Sequence, residues 1–242
     1  MGRRNGRRWN ELRAVRITRN YIKHAEGSAF IELGDTKVIC TATVEDGVPV
    51  FLRNTGSGWV TAEYSMLPRS TLTRAPRESV RGKLGGRTQE IQRLIGRSLR
   101  TVSSLKEFGE RTILLDCDVV QADGGTRTAS ITGAYVALVD AFRWLQNRGV
   151  TDRIPIKDSV AAVSVGIVGG DILLDLDYGE DVNAHVDLNL VMTSSGKIVE
   201  IQGAGQEEPF TKEAMDKMIE LGIRGIQNLS AIQYDVLGLD RM

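Results

Sequence analysis

Arg111-Thr112-Ile113-Leu114-Leu115-Asp116-Cys117-Asp118-Val119-Val120-Gln121 runs directly into Ala122-Asp123-Gly124-Gly125-Thr126-Arg127-Thr128. The first stretch is dense in β-branched and apolar residues and predicts a strand. Two glycines interrupt it. Beyond them Ile131, Ala134, Tyr135, Leu138, Phe142 and Leu145 recur at helical spacing, and the pattern stops near Gly149. A strand, a glycine loop and a helix in that order let the backbone approach a ligand beside the unpaired N–H groups of a helix start. The Thr126 hydroxyl and the Arg127 guanidinium add donors and positive charge suited to a tetrahedral anion. Such a turn also serves purely structural ends, and taken alone the motif leaves both readings open.

Upstream, Gly85-Gly86-Arg87-Thr88 repeats the same physics, because Arg87 stands at the start of a second helix marked by Ile91, Leu94, Ile95, Leu99 and Val102. Arg93, Arg97 and Arg100 fall on its other faces. Further upstream, residues 28–33 and 37–44 read as a hairpin about Gly34-Asp35-Thr36, and Trp59–Met66 as another strand. After Pro155 the pattern restarts with strand-like segments at Val160–Val168, 171–178, 185–193 and 197–202. Phe210-Thr211 opens a final helix, with Thr211 as cap and Phe210 stapled onto Met215. The expected fold class is α+β, with mixed sheets packed with helices in two similar halves, residues 1–150 and 151–242.

The net charge is zero, yet residues 1–127 carry 22 Lys/Arg against 14 Asp/Glu, or +8, and residues 128–242 carry 9 against 17, or −8. The window 69–100 is denser still: Arg69, Arg74, Arg77, Arg81, Lys83, Arg87, Arg93, Arg97 and Arg100 meet only Glu78 and Glu90. A polyanion is the natural partner of that window, with a solvated face making subunit salt bridges as the alternative. Cys40 and Cys117 sit in apolar runs and read as buried small hydrophobes rather than a disulfide. Two distant histidines, His24 and His185, are too few for a zinc site. No apolar run approaches a membrane span, and the basic start has no apolar core behind it, so neither membrane insertion nor secretion is expected.

In the second half Asp175, Asp177, Glu180, Asp181 and Asp187 cluster within a short span. Val186, Leu188 and Leu190 alternate with Asp187 and Asn189, so Asp187 faces away from the apolar side chains. It faces either solvent or a magnesium site, which typically takes one or two carboxylates and completes its shell with waters and phosphates.

The ordered combination of motifs resembles the ribonuclease PH family. The resemblance is carried by Asn10-Glu11-Leu12-Arg13, by Gly58-Trp59-Val60-Thr61-Ala62-Glu63-Tyr64-Ser65-Met66-Leu67-Pro68, by residues 86–97 and above all by residues 116–134, and it continues through 173–187. It implies two βαβ-type halves and a phosphate-dependent 3′→5′ exoribonuclease that releases nucleoside diphosphates, reversibly, from tRNA precursors and other RNA. It further implies inorganic phosphate bound by Arg87, Gly125, Thr126 and Arg127, and Mg²⁺ at Asp181 and Asp187, which with Arg127 form the catalytic set. Arg69, Arg74, Arg77, Arg93 and Arg97 become the candidate RNA contacts. A homohexameric ring built as a trimer of dimers, in the cytoplasm, is the expected assembly. The rival reading is a catalytically silent RNA-binding subunit of an exosome-like ring. Asn10, where the family often has Asp, and the heavy arginine leader at residues 3–8 depart from the pattern.

Overall fold

The computed structural model describes residue 3, residues 6–206 and residues 208–239. Arg4 of the basic leader lies outside the described residues. The first sheet has five strands, β1 (Val15–Arg19), β2 (Gly27–Leu33), β3 (Thr36–Asp46), β4 (Trp59–Met66) and β5 (Arg111–Gln121), in the order β1-β2-β3-β5-β4. All its pairings are antiparallel except β4 with β5, which are parallel and joined through helix α1 (Gly86–Val102). A parallel neighbour requires a crossover, and α1 supplies it. The second sheet, β6 (Val160–Val168), β7 (Asp171–Leu174), β8 (Ala184–Thr193) and β9 (Ile198–Gly205), is antiparallel throughout in the order β7-β6-β8-β9.

Helix α2 (Thr126–Asn147) lies between the two sheets, against β2 and β3 on one side and β6 on the other. Its buried residues therefore run all round the helix instead of forming one stripe, as a helix covered on both sides requires. Gly133 permits the close approach, since a Cβ there would sit 2.7 Å from Ile31 Cγ2. Ile131 and Leu138 are wholly buried, and truncating either to alanine costs roughly 2–5 kcal/mol. Helix α4 (Lys212–Leu237) covers the second sheet with Met218, Leu221, Ile226 and Leu229 in one apolar cluster. Thr211 caps it, its hydroxyl accepting from the Ala214 N–H at 3.2 Å, while Phe210 and Met215 both pack against that cluster. Among the described residues no helix is long and apolar enough to cross a membrane.

One expected element is corrected. The strand read over 171–178 ends at Leu174; Asp175 turns into the left-handed region with φ 55°, and a short helix α3 (Tyr178–Val182) follows. Asp177 and Glu180 form a reciprocal capping box that nucleates this helix, so the acidic residues serve a helix start where alternation suggested a strand face.

Candidate active site

Segments remote in the chain meet at a cavity of about 340 Å³ lined by Arg87, residues 124–127, Asp181 and Asp187, with Ser164, Tyr178 and Asn189 between them. A more open depression shares Arg87, Asp181 and Asp187 and continues past His185 and Gln206.

The glycine loop is shaped from below. Gly124 and Gly125 adopt φ 74° and 65°, conformations that favour glycine. A Cβ on Gly124 would lie 2.5 Å from the Leu176 carbonyl oxygen, so only a bare backbone lets the loop press against the second half. The Thr36 hydroxyl donates to the Gly124 carbonyl at 2.6 Å and accepts from the Asp123 N–H at 3.0 Å. The buried Arg13 guanidinium donates to the carbonyls of Asp123 and Gly124 and to both oxygens of the Asp175 carboxylate. The Asp123 and Gly124 carbonyls are thereby engaged, and the start of α2, which has no side-chain cap, lies in the cavity wall. That is the arrangement in which helix amides attract an anion.

A second helix start, that of α1, brings Arg87 to the same cavity. Glu78 anchors it by accepting from the Gly85 N–H at 3.2 Å and the Thr88 hydroxyl at 2.9 Å. Arg127 is braced from two elements: it donates to Gln202 Oε1 of β9 at 2.9 Å and lies 3.6 Å from Glu90 of α1. Gln202 in turn donates to Glu90 at 2.9 Å, closing the triangle.

The carboxylates come from the second half. Val186, Leu188 and Leu190 are buried beneath β8, which turns Asp187 and Asn189 to the cavity. Asp181 reaches it from α3. Partial burial of its carboxyl and the charge of Asp187 hold the Asp181 pKa above the ordinary aspartate value, while Arg87, Arg127 and Arg13 pull it the other way. Two anionic and two cationic side chains therefore share one electrostatic field. Among the described residues no cluster of three or more His, Cys, Asp or Glu could hold a metal by itself. A cation at this place would rest on Asp181 and Asp187 and take its other ligands from water and substrate.

The fold thus brings together Arg87, Gly125, Thr126, Arg127, Asp181 and Asp187. It does not bring the remaining arginines into the cavity. Arg69, Arg74 and Arg77 are exposed along the connection between β4 and α1, whose Thr71, Leu72 and Thr73 do reach it. Arg93 is exposed on α1, and Arg97 is tied to Glu200 at 2.9 Å. Residues that local pattern did not single out are Arg13, Tyr64, Ser164 and Gln202. Ser164, a hydroxyl inside the apolar run Val160–Val168, carried a visible signal; the other three have partners far away in the chain.

Residues 11–143 match the pattern of the 3′ exoribonuclease family, domain 1, and residues 158–225 match its domain 2. The chain is 60% identical over 238 residues to ribonuclease PH of Moorella thermoacetica, covering 98% of this chain and 95% of that protein. In fold it is similar to Rrp46 of rice (Oryza sativa), with TM-score 0.79, 23% identity, and coverage of 97% of this chain and 100% of that one. It is similar likewise to a chain of the Archaeoglobus fulgidus exosome with RNA bound to the active site, with TM-score 0.82, 23% identity, and coverage of 95% and 92%. With both domain patterns matched in order and a relative at 60% identity over nearly the full length, the chain belongs to the 3′ exoribonuclease family typified by ribonuclease PH.

Proposed function

We infer that this chain is a phosphorolytic 3′→5′ exoribonuclease, in which Arg87 and the Gly125-Thr126-Arg127 loop hold inorganic phosphate and Arg127, Asp181 and Asp187 serve the reaction. The observation that carries the reading is the convergence on one cavity of the uncapped start of α2, with Thr126 and Arg127, of Arg87 from the start of α1, and of two carboxylates. No nucleophilic side chain is needed. An oxygen of phosphate attacks the terminal phosphodiester phosphorus in line, the bond to the 3′ oxygen breaks, and that oxygen takes a proton as a nucleoside diphosphate leaves. The work of the protein is to position two anions and offset their repulsion. Because an anhydride forms as the ester breaks, the reaction runs in reverse when diphosphates are abundant.

Asp181 and Asp187 would hold Mg²⁺, which when bound supplies charge neutralisation between the phosphates. Burial and, after it, the charge of Asp187 raise the Asp181 pKa, and a divalent cation would offset that charge, which supports this. The exposed arginines Arg69, Arg74, Arg77 and Arg93, with Arg97 at the edge, form the track for RNA, and tRNA precursors are its proposed substrates. Exposed Phe51, Leu72, Val80 and Ile198 leave apolar surface for the subunit contacts of a homohexamer. The proposed location is the cytoplasm, where RNA precursors and phosphate occur together.

The deciding assay incubates end-labelled RNA with the protein, with and without phosphate. Phosphate-dependent release of nucleoside diphosphate is expected; phosphate-independent release of monophosphate would overturn the reading in favour of hydrolysis.

A further inference from the structure

Tyr64 lies on β4 opposite Cys117 of β5, with its ring buried beneath the glycine loop. Its hydroxyl is 2.8 Å from Thr126 Oγ1. A phenol and an alcohol each carry one proton, so only one of them donates across this contact. Neither oxygen has another hydrogen-bond partner among the described residues.

The neighbouring hydroxyls of α2 behave differently. Thr128 donates to the Gly125 carbonyl at 2.8 Å, Ser130 to the Thr126 carbonyl at 2.8 Å and Thr132 to the Thr128 carbonyl at 3.0 Å, the usual engagement of helical hydroxyls with the preceding turn. Thr126 alone among these makes no such bond, and it lines the cavity. If Thr126 donated to Tyr64, the phenolic proton would be left buried with no acceptor, which is unfavourable. If Tyr64 donates, its own valence is satisfied and the Thr126 proton is released toward the cavity. Burial pushes the Tyr64 pKa up, so the phenol keeps its proton and remains a donor.

We propose that Tyr64 is a positioning residue for inorganic phosphate: by donating to Thr126 Oγ1 it turns the Thr126 hydroxyl into a fixed donor aimed at an anion in the cavity. The inference rests on the reading of residues 125–127 as the phosphate site. Tyr64 itself does not touch the ligand. It lies one layer behind it, in the wall between the first sheet and the loop, and acts only through the direction of one O–H bond. An acceptor-only ligand such as phosphate benefits; a ligand presenting a proton at that point would not.

The test is steady-state phosphorolysis with phosphate and RNA varied separately in the full chain. Tyr64→Phe, which keeps the ring, is expected to raise KM for phosphate about tenfold while leaving KM for RNA unchanged, the scale of one hydrogen bond to a charged group. Thr126→Val should produce a comparable rise, Thr126→Ser should restore phosphate affinity, and Tyr64→Phe added to Thr126→Val should cause no further rise. A KM for phosphate within twofold of the parent in Tyr64→Phe, or full additivity in the double variant, overturns the proposal. Loss of kcat and of RNA affinity together, without a selective phosphate effect, overturns it as well, because that is the mark of general loosening. Failure of the underlying site reading looks different: Thr126→Val and Arg127→Ala would then both leave the phosphate dependence intact.

Discussion

Arg13 and Asp175 form a buried two-pronged pair, Nη2 to Oδ1 at 2.7 Å and Nε to Oδ2 at 3.0 Å, and the Arg13 backbone N–H adds a third bond to Oδ2 at 2.7 Å. The same guanidinium holds the carbonyls of Asp123 and Gly124, so one residue near the N-terminus joins the glycine loop to the turn after β7. Removing one partner of such a pair strands the other without water. Asp175→Ala is expected to cost roughly 3–5 kcal/mol in urea unfolding. A loss below about 1 kcal/mol would show that the pair does not hold the halves together.

Gly124 tests the loop itself. A methyl group there meets both an unfavourable φ and the Leu176 carbonyl, and Gly124→Ala should lower stability by about 1–3 kcal/mol and weaken phosphate binding together. Thermal melts with and without phosphate read both effects. A variant that melts like the parent would mean the loop relaxes away from residues 176–178 at no cost.

On the proposed site, Arg127→Ala should reduce kcat/KM for phosphate by about 10²–10³-fold with RNA binding mostly retained, because the proposal sets the lost charge against the attacking anion. Gln202→Ala should give a smaller loss, on the order of tenfold, since it removes the 2.9 Å brace and leaves Arg127 in place beside Glu90. Equal losses in the two variants would contradict this order, and gel-shift titration with labelled RNA separates grip from turnover.

The raised pKa of Asp181 gives a pH signature in metal-free protein. A carboxyl whose folded value exceeds its unfolded one favours folding while protonated, below the ordinary value of about 3.9, and loses that contribution as pH rises through the folded value. In EDTA at neutral pH, Asp181→Asn should therefore be more stable than the parent, with the difference vanishing in acid. Denaturant curves at the two pH values decide it; the opposite sign would show that Arg87 and Arg127 outweigh Asp187.

Mg²⁺ should restore the balance by binding the folded state. It is expected to raise the melting temperature of the parent and to leave Asp187→Asn unmoved, while that variant, though folded, loses nearly all turnover. Identical magnesium titrations of the two proteins would remove Asp187 from the cation site.

Much of the fold was legible locally. Apolar and β-branched runs located the hairpin of β2 and β3, and β4, β5, β6, β8 and β9, and a 3.6-residue period located α1, α2 and α4. Two elements were not. β1 is a five-residue edge strand that mixes two arginines into its alternation, and α3 hid in a stretch whose start alternates like a strand. The Asp177-to-Glu180 spacing was the available sign of a helix start, but it competed with a run of residues that also suits an edge.

The amino-acid order by itself determined the glycine loop, the two helix starts with Arg87 and Arg127, and the strand face bearing Asp187, because each depends on residues a few positions apart. Only the tertiary structure decided which groups orient them. Arg13 reaches Asp175 across 162 positions, Tyr64 reaches Thr126 across 62 and Arg127 reaches Gln202 across 75. Hydrogen bonds act over about 3 Å, and a chain brings such distant groups within that reach only once its sheets have closed around α2.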